Sequence, residues 1–368
     1  MKYYIIAGEA SGDLHAANLI KEIKKRDPNA EFRAWGGDLM QAQGATLVKH
    51  YRDLAFMGFV EVVMNLKTIL KNIKFCKEDI KVWQPDELIL VDYPGFNLKI
   101  APFAKKLGIK VIYYISPQVW AWKSSRVHAI KKYVDKMLVI LPFEKDFYQK
   151  YDFSVDFVGH PLLDAIAQRE VSDEASFKQK WGLDNRKIIA LLPGSRKQEI
   201  KTKLPIMLSV VKDFPEYQFV VAGAPSQERA LYEPYLTEDV KWVENQTYAL
   251  LQHSYATLVT SGTATLETAL LGVPEVVCYK GSRISYEIGK RLVKNIEYIS
   301  LVNLIMNREV VKELIQQDLN YENLKTELTK ILGGASRAKM LEDYQKLREV
   351  LGGAGASARA AEIIVDKK

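Results

Sequence analysis

Cysteine is nearly missing from this chain of 368 residues, with only Cys76 and Cys278, one in each half. Two thiols so far apart carry no zinc-type spacing and point to a reducing compartment. Histidine is as sparse, five residues without clustering. No metal site is expected. No apolar run reaches the roughly 20 residues that span a bilayer, and Tyr3–Ala7 reads as a short strand stopped at once by Gly8, not as a secretory leader. A cytoplasmic protein, free or resting on a membrane surface, is therefore expected. The chain shows no short repeat or low-complexity segment. It also lacks a full dinucleotide fingerprint with its acidic partner on the second strand, which disfavours a nicotinamide or flavin enzyme. No organic cofactor is expected.

What remains is ordinary globular material, 48% hydrophobic and 26% charged, long enough for two Rossmann-sized domains. The excess of seven positive charges is spread along the chain. It suits nucleic acid, an anionic membrane or phosphorylated substrates alike. Apolar runs of strand length fall near residues 3–7, 31–35, 87–92, 110–115 and 137–140, with helical periodicity between them. A second series follows near 187–192, 218–222, 240–243, 256–259 and 275–279. Such alternation predicts two doubly wound parallel sheets. The linker is expected near 162–170, giving domains 1–165 and 166–345, with a terminal helix over about 345–368 that must dock somewhere.

Chemistry in open α/β sheets gathers beyond the carboxyl ends of the strands. Ile89-Leu90-Val91-Asp92-Tyr93-Pro94-Gly95 delivers a carboxylate to such an end, where Asp92 either serves as a general base or caps its own turn. The turn Gly8-Glu9-Ala10-Ser11-Gly12-Asp13 follows the first strand, and a helix is expected from about Ala16. Gly8 and Gly12 permit close backbone approach, and free amides at the helix start offer positive charge to an anion or sugar. A tight βα connection would use the same residues.

In the second half, Pro193-Gly194-Ser195-Arg196 and Ser261-Gly262-Thr263-Ala264-Thr265-Leu266-Glu267 follow strands in the same way. Ser195, Ser261, Thr263 and the amides around Gly194 and Gly262 suit phosphoryl oxygens, with Arg196 as a permanent bidentate cation. The other reading makes Ser261 or Thr263 a helix N-cap and Arg196 a surface residue.

The stretch Leu54–Lys74 is richer in apolar side chains than one core-facing stripe needs. Met57, Phe59, Val60, Val63 and Met64, rimmed by Lys67 and Lys71, suit an anionic bilayer surface or acyl chains; a core helix with a solvated lysine face is the competing reading. Tyr279–Lys294, where aromatics alternate with bases, is a second candidate of this kind. Trp120 and Trp122 follow the strand near 110–115, so they fit a sugar or acyl pocket better than a nucleic-acid strand. No nucleic-acid partner is expected.

Two such sheets facing a central cleft suggest the GT-B architecture of nucleotide-sugar glycosyltransferases. No Asp-x-Asp metal motif stands at a strand end, so Arg196 and helix dipoles would neutralise the leaving group. The strings Gly8–Asp13, Gly36–Met40, Met57–Val62, Asp92–Asn97, Ser116–Trp122, Leu141–Glu144, Val158–Pro161, Leu192–Arg196 and Ser261–Glu267, in this order, resemble the lipid-A-disaccharide synthase family. The resemblance implies inverting transfer of 2,3-diacylglucosamine from its UDP carrier to 2,3-diacylglucosamine 1-phosphate, at the cytoplasmic face of a Gram-negative inner membrane. It implies Asp92 as general base, Arg196 on the diphosphate, Glu267 near the ribose and Asn303 near the active site. Gly95 departs from the pattern, in which a second acid stands there. Glu275 also departs, occupying a strand position where an apolar residue is usual. Family members return their final helices to the first domain or exchange them between protomers, so a homodimer is among the expected states. Competing classes are a UDP-sugar 2-epimerase, a glycosyltransferase with another lipid acceptor and a non-catalytic lipid- or nucleotide-binding protein.

Overall fold

The computed structural model describes residues 1–54, 66–121, 124–281 and 297–366. The chain divides into two compact units, one of Met1–Asp164 with the segment from Leu351 onward, the other of Ala165–Val350. It passes between them inside the helix Pro161–Gln168.

The first unit holds seven parallel strands: β1 Lys2–Ala7, β2 Glu31–Gly36, β3 Thr46–His50, β4 Glu87–Val91, β5 Lys110–Tyr114, β6 Lys136–Val139 and β7 Asp156–Phe157. Their order is β3-β2-β1-β4-β5-β6-β7. The second unit holds six: β8 Lys187–Leu192, β9 Tyr217–Gly223, β10 Val240–Glu244, β11 Ser254–Thr260, β12 Glu275–Tyr279 and β13 Lys312–Ile315, ordered β10-β9-β8-β11-β12-β13. Central strands are buried on both faces, β1 through Tyr3–Ala7 and β4 throughout. This is why they read as continuous apolar runs. The two expected doubly wound sheets are present. The short edge strands β3, β7 and β13 are additional to the expected set; each is largely half-buried and lacks such a run.

In both sheets the strand order reverses beside the first strand, between β1 and β4 and between β8 and β11. Connections leaving in opposite directions open a crevice at that point. Register makes the juxtaposition concrete: Ala7 lies opposite Val91, and Leu192 opposite Val259. The turn after β1 therefore meets Asp92, and Pro193–Arg196 meets Ser261–Thr263.

The helix after β1 spans Ala10–Arg26, starting earlier than expected, so Ser11, Gly12 and Asp13 ride on its first turn. The Asp13 carboxylate holds this first turn in place. It is buried and accepts from the backbone N–H groups of Gly37 (2.8 Å), Leu39 and Met40 (3.1 Å each), anchoring the turn to the segment after β2.

The final helix, Ala356–Val365, belongs to the first unit and packs on Ala10–Arg26. Asp164 receives its first backbone amides, those of Gly355 (2.5 Å), Ala356 (3.3 Å) and Ser357 (2.8 Å). No helix among the described residues is long and apolar enough to cross a membrane.

Candidate active site

Asp92 and Tyr93 both take left-handed backbone angles, with φ of 43° and 46°. Such strain in non-glycine residues persists only where the surroundings enforce it. Here the Asp92 carbonyl accepts from the Tyr113 hydroxyl at 2.5 Å and the Asn97 side-chain amide at 2.7 Å. Both donors are buried. The Tyr93 ring lies flat against Gly8, where a Cβ would sit 2.3 Å from the ring. Gly8 is thus the residue that lets the β1 and β4 turns close on each other.

The clamp uses the Asp92 carbonyl and leaves its half-buried carboxylate in an apolar setting. Burial first, then the nearby Glu9 charge, pushes Asp92 up to about 6, against the pull of the Tyr93 N–H. The buried Glu144 is likewise pushed up to about 7, chiefly by burial and also by the Asp92 charge. Its carboxylate accepts from the Leu141 N–H at 3.0 Å, and Ser116, another of its partners, lies 2.8 Å from the Tyr148 hydroxyl. Trp120 stands edge-on to Phe143 at 5.0 Å, with its indole N–H unpartnered among the described residues.

In the second unit, Gly194, Ser195, Arg196, Ser261, Gly262, Thr263 and Glu267 all line one cavity of about 400 Å³. Gly194 has φ of 115°, and a Cβ there would meet Glu199 Oε2 at 2.3 Å. The Ser195 carbonyl is fixed by the Ser226 hydroxyl at 3.1 Å and the Gln227 amide at 2.9 Å. Ser261 Oγ donates to the Ile299 carbonyl at 3.2 Å. Glu267 is held by the Tyr248 hydroxyl at 3.0 Å, and burial raises its carboxyl above the usual range although that hydrogen bond opposes the shift. The cavity wall thus carries hydroxyl side chains, glycine-containing turns, a guanidinium and a carboxylate, a set suited to a phosphorylated nucleoside.

A family model, lipid-A-disaccharide synthetase, matches residues 3–366. The chain belongs to the lipid-A-disaccharide synthetase family. A lipid-A-disaccharide synthase of Syntrophus aciditrophicus is 41% identical, covering 97% of this chain and 95% of the relative. One of Nitrosococcus oceani is 40% identical, over 98% and 95%. Among solved structures, a UDP-GlcNAc 2-epimerase from Neisseria meningitidis bound to UDP-GlcNAc has a TM-score of 0.71 at 15% identity, covering both chains fully. A glycosyltransferase of kitacinnamycin has a TM-score of 0.67 at 14% identity, over 99% and 98%. At these identities the likeness is one of fold, the GT-B architecture. Membership in the lipid-A-disaccharide synthetase family makes the chain a UDP-sugar glycosyltransferase of lipid A assembly.

Against this family pattern, two of the expected site residues besides Ser261 have their polar atoms engaged by backbone. Asp13 is one, as described. Asn303 is the other: it is fully buried, donates to the Val311 carbonyl (2.9 Å) and Glu313 (3.0 Å), and accepts from the N–H groups of Val310 and Val311. Glu313 in turn accepts from the N–H groups of Ile299 and Ser300, so Asn303 reaches the cavity only through the segment that holds Ser261. Ser11 is exposed on the first turn of its helix, and Gly12 packs against Ala7. Met57, Phe59, Val60, Val63, Met64 and Trp122 lie outside the described residues, as does most of Tyr279–Lys294. Gly95 is exposed, with nothing within 4 Å of a Cβ there.

Sequence reasoning missed Ala222, Ala224, Pro225 and Thr247, which also line the cavity. The signal was present, since Ala224-Pro225 follows β9 directly. It was overlooked because these residues carry no charge or hydroxyl run.

Proposed function

We propose that the chain transfers 2,3-diacylglucosamine from UDP-2,3-diacylglucosamine to the 6-hydroxyl of 2,3-diacylglucosamine 1-phosphate, with inversion. Asp92 takes the hydroxyl proton as the oxygen attacks the anomeric carbon, and UDP leaves toward Arg196 and the loop amides at Gly194 and Gly262. Glu267, fixed by Tyr248, accepts from the ribose. The observation that carries this reading is the convergence of the seven expected nucleotide residues on one cavity, at the strand-order reversal of its sheet. The raised Asp92 supports the base role, because a carboxylate is a stronger base when its conjugate acid titrates closer to neutrality.

In this reading the enzyme works at the cytoplasmic face of a Gram-negative inner membrane. On the helix Leu66–Trp83, Leu66 and Leu70 are 49% and 54% exposed and stand beside exposed Lys67 and Lys71. Apolar side chains rimmed by lysines suit an anionic interface. Co-sedimentation with phosphatidylglycerol vesicles is expected to drop several-fold in Leu70→Glu; undiminished binding removes this helix from the membrane face.

The deciding test supplies both lipid substrates in neutral detergent, with and without chelator, and follows UDP and disaccharide together. Equal yields unaffected by chelator support the reading. UDP without disaccharide, or no turnover, rejects it in favour of an epimerase or binding role.

A further inference from the structure

The helix Lys197–Leu208 buries Ile200, Lys203, Leu204 and Met207. Three of these are apolar and pack as a helix interior should. Lys203 is not: at 2% exposure it occupies a core position, and among the described residues it makes no hydrogen bond or ion pair. Burial pushes its amine below the usual lysine range, while the Glu199 charge pulls it back. Packing alone would favour a leucine or methionine here.

The lysine borders a second cavity of about 490 Å³, whose walls include Arg196, Glu199, Thr202, Tyr279 and Lys280. Arg196 and Glu199 also line the nucleotide cavity, so the two spaces adjoin through one shared cation and one shared carboxylate. Glu199 stands 3.9 Å from the Arg196 guanidinium. Among the described residues, Lys203 and Lys280 add two further cations to this wall, and the buried Lys203 ammonium, facing the cavity without a partner among them, calls for an anion. Thr202, half-buried on the same wall, adds a hydroxyl.

We propose that this second cavity is a phosphomonoester subsite that takes the 1-phosphate of the acceptor, with Lys203 and Lys280 as its ligands. The assignment rests on the transfer reaction proposed above. In that reaction the donor diphosphate occupies the first cavity, and the acceptor phosphate is the remaining anion. It carries a charge of about −1.5 to −2 near neutrality. An ammonium desolvated in advance binds such a group without first shedding a full water shell. Arg196, at the junction, keeps the two phosphate-bearing groups from repelling one another.

The test compares the phosphorylated acceptor with its 1-hydroxy analogue in neutral detergent, using wild type, Lys203→Met and Lys280→Met, alongside calorimetric titration with UDP. Loss of a charge-assisted hydrogen bond is expected to raise the KM for the phosphorylated acceptor about 10- to 100-fold in Lys203→Met. The 1-hydroxy analogue should feel no change, and UDP affinity should hold. A smaller effect of the same kind is expected for Lys280→Met at the half-buried rim. Equal losses with both acceptors, or weakened UDP binding, overturn the subsite. If the lysines instead serve a phospholipid headgroup, the variants lose activation by added phosphatidylglycerol yet keep the preference for phosphorylated acceptor, and the proposal fails. Glucosamine 1-phosphate against glucosamine, titrated into the UDP-loaded protein, reads the subsite without turnover. Selective binding that Lys203→Met abolishes upholds the subsite even if the transfer reaction itself is rejected, and absence of selective binding counts against the subsite alone.

Discussion

A carboxylate that must take a proton from an alcohol works only when ionised, so Asp92 ties activity to its own titration. Its position at about 6 predicts that kcat/KM falls as pH drops through that value and levels above it. Glu9 contributes to the upward shift by like-charge repulsion, so Glu9→Gln should move the acid limb to lower pH without lowering the plateau greatly. Asp92→Asn should reduce turnover by about 10²–10⁴-fold with UDP binding retained; near-full activity ends the base assignment. Glu275 obeys the opposite logic at the other end of its strand. It is fully buried, neither carboxyl oxygen has a hydrogen-bond partner among the described residues, and burial with the Glu313 charge raises it well above the ordinary value. The folded state therefore holds a proton that the unfolded chain releases, and this contribution to stability declines as pH rises above the unfolded value of about 4.5. Glu275→Gln removes the proton and keeps the shape. Its midpoint of thermal unfolding should gain on wild type as pH rises above about 5, and parallel pH curves would show Glu275 to be ionised in the folded state.

At the scale of elements, the site depends on two turns meeting. Gly8→Ala places a methyl inside the Tyr93 ring, 2.3 Å from its nearest atom, so the β4 turn must move. A displacement of about 1 Å at a reacting group is enough to cost 10²-fold in rate. The variant should lose turnover on that scale while UDP titration stays unchanged, since the nucleotide cavity is in the other unit; intact turnover would show that the turn tolerates the shift. The same pair of turns shows what a sequence can convey. Each strand-end motif was legible alone, because buried parallel strands are apolar throughout and their termini carry Gly, Pro, Ser and Asp. That Gly8 touches Tyr93 was not legible, because strand order places β4 beside β1 and periodicity says nothing about order. The seven residues that line the cavity of the second unit stood out because hydroxyls, glycines and an arginine concentrate at two turns. Asn303 is the converse case: its side chain is used up by backbone groups only seven and eight residues away, in a pattern with no signature in residue type. The β13 strand, Lys-Glu-Leu-Ile, failed to register because an edge strand need bury little.

At the scale of the whole molecule, the chain leaves the first unit at Asp164 and comes back to it at Leu351, so that unit is closed by two segments far apart in sequence. Asp164 is where they join, as acceptor for three successive amides at the start of the final helix. Further ties run from Arg359 Nε to the Val158 carbonyl at 2.7 Å and from Lys136 to the Ile363 carbonyl at 3.0 Å. The helix also covers the apolar face of Ala10–Arg26, the helix whose first turn carries Asp13, through Ala360, Ala361 and Ile364. Removing the Asp164 carboxylate leaves those amides without an acceptor, at about 1–3 kcal/mol for a buried unsatisfied group. Asp164→Ala should accelerate hydrogen exchange first at residues 355–365 and then along Ala10–Arg26, while amides of the six-stranded sheet keep their protection. Such a pattern would make the returning helix a clamp on the turn that packs against Tyr93, and turnover should fall with it. Uniform loss of protection in both sheets would instead mean that the two units unfold as one, and that the returning helix is one support among many.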